Sequence, residues 1–558
     1  MKRFLILACL IPAACGGGRP ADTAAPRSDA PALMAAAAKR SVVPTESQIA
    51  GETEERLPGT TTTQNFHLGG FGIGPLQNFP DPLNQDLTEP AGAPLHITED
   101  GQEQHTWLRL LLLADPASGN TVAFVALDAV GAGNIIQDGV ASAVSAATGI
   151  PLENVLFGQT HTHAGADLQG LWGGVPQSWI ENLYRLAGEA AAEAQGALQP
   201  AELTFQQIET PEFNNYRRPR VFPDIDADTT ATVLRARAID GGATIASLLQ
   251  YNAHPTSVGT DNDPRVPHPD YILGAVEHLE ANGGIALYYN GPIADASGSG
   301  GSCDGDDYTR VYCRGAELAA TALTGETVAL APSIAVRHSE VVLPVTNPLF
   351  LAIGLAGSFN RYYNFTEIPA DQIPGLGPLY TNLPQAVPVG FTTVSRVTLG
   401  EALEIVTIPG EATNTFGEYI QALAGGRPTM LLGLTHSSFG YILPEEEFNY
   451  IDLAGGTGFT LPFTNYEEYV SLGPLTAPLL RIQGYAPLFD APPQAFAPPS
   501  VAACYGEDTG ERCIIEDILA QPGYAQRGLA ARCRENLGED NAFCALIDPG
   551  ASPLPQLR

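Results

Sequence analysis

From Thr121 onward the chain repeats one pattern. A run of apolar and β-branched residues stops at a polar residue beside glycine or proline. The run 121–127 stops at Asp128, and 154–157 leads to His161. The run 246–250 leads to His254, and 285–289 to Asn290 with Asp295 close behind. The run 403–408 ends at Glu411, and 430–434 at His436. Short apolar runs bounded in this way predict buried strands. Helical periodicity over 179–195 and 271–279, and a helix expected to start near Glu411 and run to Leu423, fall between them. Alternating strands and helices predict an α/β fold of mixed sheets with flanking helices. In such folds, sites gather beyond the carboxyl ends of the strands.

The ends of the chain depart from this pattern. Lys2 and Arg3 precede a short apolar stretch and then Ile11-Pro12-Ala13-Ala14-Cys15-Gly16. Residues 1–14 therefore predict a signal peptide resembling a bacterial lipoprotein leader, with Cys15 as the lipidated residue. An ordinary secretory signal is the alternative, because Pro12 stands where an aliphatic residue is usual. Residues 15–58 are rich in Ala, Pro, Gly, Ser and Thr and are expected to be a disordered tether. The folded body is expected over 59–488. A Pro-rich linker and Cys-rich tail follow over 489–558. The stretch 348–355 is apolar but too short to cross a bilayer; it reads as a core helix or as part of an acyl pocket.

Charge narrows the function. Asp and Glu outnumber Lys and Arg by 61 to 27, a net charge of −34. Such a surface repels phosphate backbones and argues against nucleic-acid binding. Of eight cysteines, Cys9 and Cys15 belong to the leader, leaving an even number in an oxidising compartment. Nearest-neighbour pairing gives Cys303–Cys313, Cys504–Cys513 and Cys533–Cys544. The protein is expected to be secreted or anchored to the outer membrane.

The candidate chemistry lies at the strand ends. His161 and His163, spaced i and i+2, would share a face of extended chain and could grip one ion. Pro255 blocks helix directly after His254. Glu411, at the expected start of a helix, reads as a ligand or a capping glutamate.

The segments 158–165 (GQTHTHAG), 251–257 (YNAHPTS), 408–420 (IPGEATNTFGEYI) and 434–448 (LTHSSFGYILPEEEF), in this order, resemble the neutral/alkaline non-lysosomal ceramidase family. The similarity spans roughly residues 65–485. It implies a zinc amidase that cleaves an N-acyl amide, ceramide or a related lipid, by attack of zinc-bound water. It further implies His161, His254, Glu411 and Tyr441 as zinc ligands. His163 is the candidate proton relay or oxyanion group, and support of His161 is its competing role. Ser297 matches the family's serine, although its flanking residues differ. Asp295 and Asp128 are candidates to orient histidines, and Arg109 resembles a position near the substrate. His436 competes with Tyr441 as the fourth ligand. Family members carry a C-terminal immunoglobulin-like domain where this chain has its short tail. A catalytically degenerate binding protein and a zinc esterase or lactonase are the alternative functions.

Overall fold

The computed structural model describes residues 32–493, apart from 58, 71–95, 98–102, 105, 218–224, 259–265, 348–349, 351–360, 377–385, 445–446, 448–449, 453–459, 463–466 and 468–469. The leader, Cys15, most of the 348–355 stretch and the Cys-rich tail lie outside the described residues.

Two sheets carry the site. The larger runs in the order Val155–Gln159, Thr121–Leu127, Trp107–Ala114, Leu33–Ser41, Gln199–Glu209, Thr230–Ala238, Thr244–Tyr251 and Ile285–Asn290, with Val328–Ala329 attached to Gln199–Glu209. Its outer pairs are parallel and its inner pairs antiparallel. The second sheet orders Ile334–Pro344, Ala386–Leu399, Leu403–Thr407 and Thr429–Leu432, with Phe365–Pro369 pairing the long strand. Leu111, Phe124, Leu156 and Leu287 of the first sheet share one core with Val397, Leu403, Ile405 and Met430 of the second. Burial on both sides explains why these strands read as continuous apolar runs rather than alternating ones.

The six runs singled out in the sequence are strands, and Gln177–Gly196, Ile272–Glu280 and Asn414–Leu423 are helices. Two expectations need correction. Residues 33–41 are not tether. They form a strand at the middle of the larger sheet, paired on both sides, with Leu33, Ala35 and Ala38 buried. The helix Gln177–Gly196 lies against this strand, and small side chains let the two backbones approach. Glu411 does not start a helix. It opens the two-residue strand Glu411–Ala412, paired with Tyr441–Ile442, and the helix begins at Asn414. Cys303 and Cys313 form the expected disulfide; the other two pairings lie outside the described residues.

Candidate metal centre

His161 follows the strand Val155–Gln159, and His254 follows Thr244–Tyr251, both in the larger sheet. Glu411 follows Leu403–Thr407 of the second sheet. Beyond the ends of these three strands the side chains meet. His161 Nε2 lies 2.9 Å from His254 Nε2, and Glu411 Oε2 lies 3.2 and 3.3 Å from these two nitrogens. His163 Nε2 closes the group, 3.2 Å from His161 Nε2. All four residues are buried.

The histidines do not converge through an extended segment. His161 has φ 62°, in the left-handed region that residues with a Cβ rarely occupy. The chain therefore turns between His161 and His163. Gly70 (φ 135°) lies against that turn, where a Cβ would fall 2.4 Å from His163 Cγ.

The tautomers follow from the other ring nitrogens. His161 Nδ1 lies 2.5 Å from Val130 O, and His254 Nδ1 lies 2.7 Å from Ile293 O. A carbonyl oxygen only accepts, so both Nδ1 atoms carry the proton. In neutral rings, both Nε2 atoms then present lone pairs. Burial, with the nearby Arg217, pushes His254 down to about 4. Burial, with His161, holds His163 well below its ordinary range. Burial alone would push the Glu411 carboxyl up, but the His161 and His254 rings prevail and hold it well below the usual carboxylate range. With both rings neutral, lone pairs and a carboxylate face one another across about 3 Å. That donor set fits a divalent cation. Tetrahedral zinc bonds of about 2.0–2.1 Å place ligand atoms roughly 3.3–3.4 Å apart.

Tyr441 is buried, its ring centroid 6.4 Å from that of His254. Its hydroxyl is hydrogen-bonded by Arg217, whose Nη2 lies 3.5 Å from Glu467 Oε1 and also donates to Ala294 O. Sequence reasoning missed Arg217. The one available signal was a cluster of basic residues, at 217, 218 and 220, in a chain otherwise poor in them.

The remaining candidates fall elsewhere. His436 does not compete as a ligand, which corrects that expectation. Its Nε2 lies 2.7 Å from Ser395 Oγ, which lies 2.9 Å from His338 Nδ1. It sits at φ 69°, and this left-handed turn directs the ring toward the second sheet. Asp128 and Arg109 form a buried ion pair at 2.8 Å, with side chains 0% and 3% exposed, and Asp128 also accepts the Trp107 N–H. The pair ties the strand Trp107–Ala114 to the end of Thr121–Leu127, and neither residue lines the pocket that leads to the cluster. Asp295 accepts the Asn414 N–H at 3.0 Å and the Asn414 side-chain amide at 2.9 Å, tying down the start of the helix that follows Glu411. Ser297 forms a main-chain bridge with His254, and among the described residues its hydroxyl makes no hydrogen bond.

A pocket of about 530 Å³, including its open mouth, leads to the cluster. His161, His163, Glu411 and Tyr441 form its polar end. Trp172, Phe350, Tyr363, Phe365 and Phe439 form most of its apolar wall. Tyr363 stacks on Phe365, with centroids 5.4 Å apart and planes 10° apart. Phe350, from the apolar 348–355 stretch, is 8% exposed.

A site of this kind, set where strands of two mixed sheets end, defines an α/β protein with a candidate metal-binding site. Among solved structures, the chain resembles the neutral ceramidase from Pseudomonas aeruginosa, with a TM-score of 0.58 and 18% identity over 86% of this chain and 79% of that one. It also resembles a ceramidase complexed with C2, with a TM-score of 0.57 and 17% identity over the same shares. The fold is therefore ceramidase-like. No family model matches the chain. No curated protein matches it either.

Proposed function

We propose that this protein is a zinc-dependent hydrolase of linear amide bonds that acts on N-acylated, lipid-like substrates, with ceramide the model compound. We further propose that a lipid on Cys15 anchors it to the outer membrane, on the periplasmic or outer face. The observation that carries the enzymatic reading is the meeting of two lone-pair-bearing Nε2 atoms with the Glu411 carboxylate. With both rings neutral, a divalent cation between them would satisfy all three donors at once. The ceramidase-like fold and the apolar wall leading to the cluster support the amide and lipid parts.

A zinc ion supplies a Lewis acid that activates water near neutral pH and polarises a carbonyl. The chain's residues do the rest. His161, His254 and Glu411 hold the ion, and Val130 O and Ile293 O fix the two ring tautomers. His163, whose basicity burial depresses, would take the proton released by the attacking water and pass it to the departing nitrogen, a step that amide cleavage requires. Tyr441, held by Arg217, orients the substrate carbonyl or completes the ligand set. The apolar wall holds the acyl portion and keeps water away from it.

The test is turnover of N-acyl-sphingosines and N-acyl amino acids by purified protein. A chelator should abolish it and zinc should restore it. Hydrolysis that persists in the metal-free protein, or folded protein that takes up no zinc, would refute the reading. Faster cleavage of the matching esters would favour an esterase on the same site.

A further inference from the structure

One buried carboxylate outside the metal cluster organises the pocket wall. Asp167 is fully buried in the strand Gly165–Leu168. Its Oδ1 accepts the N–H groups of Gln169 (3.0 Å) and Gly170 (2.8 Å). Its Oδ2 accepts those of Trp172 and Gly174, both at 2.8 Å. A single carboxylate therefore ties down the whole 169–174 turn.

That turn has little conformational preference of its own. Gly170, Gly173 and Gly174 adopt φ of 77°, 124° and 81°. Glycines at such angles lose the most freedom on folding, so the loop needs strong bonds to hold one shape. Four backbone N–H groups converging on one carboxyl group supply them. The loop contributes Gln169, Leu171 and Trp172 to the pocket. Gln169 Nε2 also reaches Tyr363 Oη and Ser438 O, both at 3.1 Å, linking this wall to the aromatic one.

We propose that Asp167 is a positioning residue for substrate. It fixes the Leu171–Trp172 wall against which an acyl chain lies, and so governs affinity for that chain without entering the chemistry. The proposal rests on the hydrolase reading for the identity of the substrate, but not for the existence of an apolar site.

The test uses the zinc-loaded, full-length Asp167→Asn variant. Asparagine turns one acceptor into an N–H donor aimed at two backbone N–H groups, which opens the loop. KM for a dodecanoyl amide should rise about tenfold or more, with kcat and zinc content within about twofold of wild type. KM for the N-acetyl analogue should not change. Laurate binding, measured by calorimetry, should weaken by a similar factor. An unchanged KM and laurate affinity would overturn the proposal. So would a fall in kcat with loss of zinc, because the residue would then support the metal site. If Asp167→Asn does not fold, Trp172→Ala decides. That variant should weaken laurate and long-chain binding, and unchanged values overturn the proposal. If wild-type protein cleaves no amide at all, the hydrolase reading fails, and the laurate titration still judges Asp167.

Discussion

Ser437 and Ser438 are adjacent, both fully buried, and should respond to the same substitution with opposite signs. Ser438 Oγ donates to Gln159 Oε1 at 2.8 Å and accepts the Ala132 N–H at 3.1 Å. It joins the strand that leads to His161 with the segment that leads to Tyr441. In Ser438→Ala, Gln159 Oε1 keeps its second donor, Gln137 Nε2 at 3.1 Å, so that side loses about 1 kcal/mol, the usual net value of one bond. The Ala132 N–H loses its acceptor inside the protein, which costs about 1–3 kcal/mol. The expected destabilisation is about 2–4 kcal/mol. The Ser437 hydroxyl has no hydrogen-bond partner among the described residues. Ser437→Ala removes a buried polar group that gains nothing, and should be neutral or stabilising by up to about 1–2 kcal/mol. Urea unfolding of the two variants beside wild type, all loaded with zinc, measures both. If Ser437→Ala costs as much as Ser438→Ala, the hydrogen-bond assignments around Gln159 are wrong.

Three further predictions follow from the site. His161→Ala should lose bound zinc, by metal analysis, together with the stabilisation zinc gives the wild type, about 2.7 kcal/mol at a hundredfold excess over Kd; retained zinc would remove His161 from the ligand set. Arg217→Lys keeps the charge but loses the planar fork that holds Tyr441 and Ala294 O. It should lower kcat/KM about tenfold or more with zinc content unchanged, and wild-type kinetics would refute the role. Burial, aided by nearby His338, pushes His436 down to about 3. In the unfolded chain it titrates near 6.5, so between these values the folded state binds fewer protons and stability falls as pH drops. The loss from this group by pH 5 is about 2 kcal/mol. Urea midpoints at pH 7.5 and 5 should converge in His436→Gln relative to wild type, and parallel losses would refute the assignment.

Most strands were legible because each is apolar on both faces and ends at glycine, proline or a polar residue. The ligand candidates were legible for the same reason, since they stand where a buried run stops. The strand Leu33–Ser41 escaped because its core is four alanines, which favour neither strand nor alternation. Only its neighbours on both sides make it a strand. Arg217 escaped because its role depends on Tyr441 and Glu467, far away in sequence. His436 misled for the converse reason. Its position beside a matching segment suggested a ligand, whereas a left-handed turn, invisible in the sequence, directs it to Ser395.

The site also bears on how the two sheets stay together. His161 and His254 follow strands of the larger sheet, whereas Glu411 and Tyr441 follow strands of the second and pair with each other. Direct links near this seam include the Gly158–Thr435 bridge, the hydrogen bonds from His436 N to Phe157 O and from Gly433 N to Asn290 O, and the Ser438 bonds to Gln159 and Ala132. Without a cation, the seam at the cluster places lone pairs and a carboxylate against one another. An ion held by both sheets turns that unfavourable contact into a cross-link, so ion-binding free energy becomes cohesion between the sheets. His161 keeps a backbone conformation that costs a residue with a side chain about 1–3 kcal/mol. Strain at one ligand is tolerable when the surrounding strands over-determine it. The same strain is expected to show as local loosening of the 160–163 turn, in hydrogen exchange, when the metal is stripped. If that turn exchanges no faster than the strand Thr121–Leu127 in the metal-free protein, the sheets hold the ligand geometry by themselves, and the cross-link argument fails.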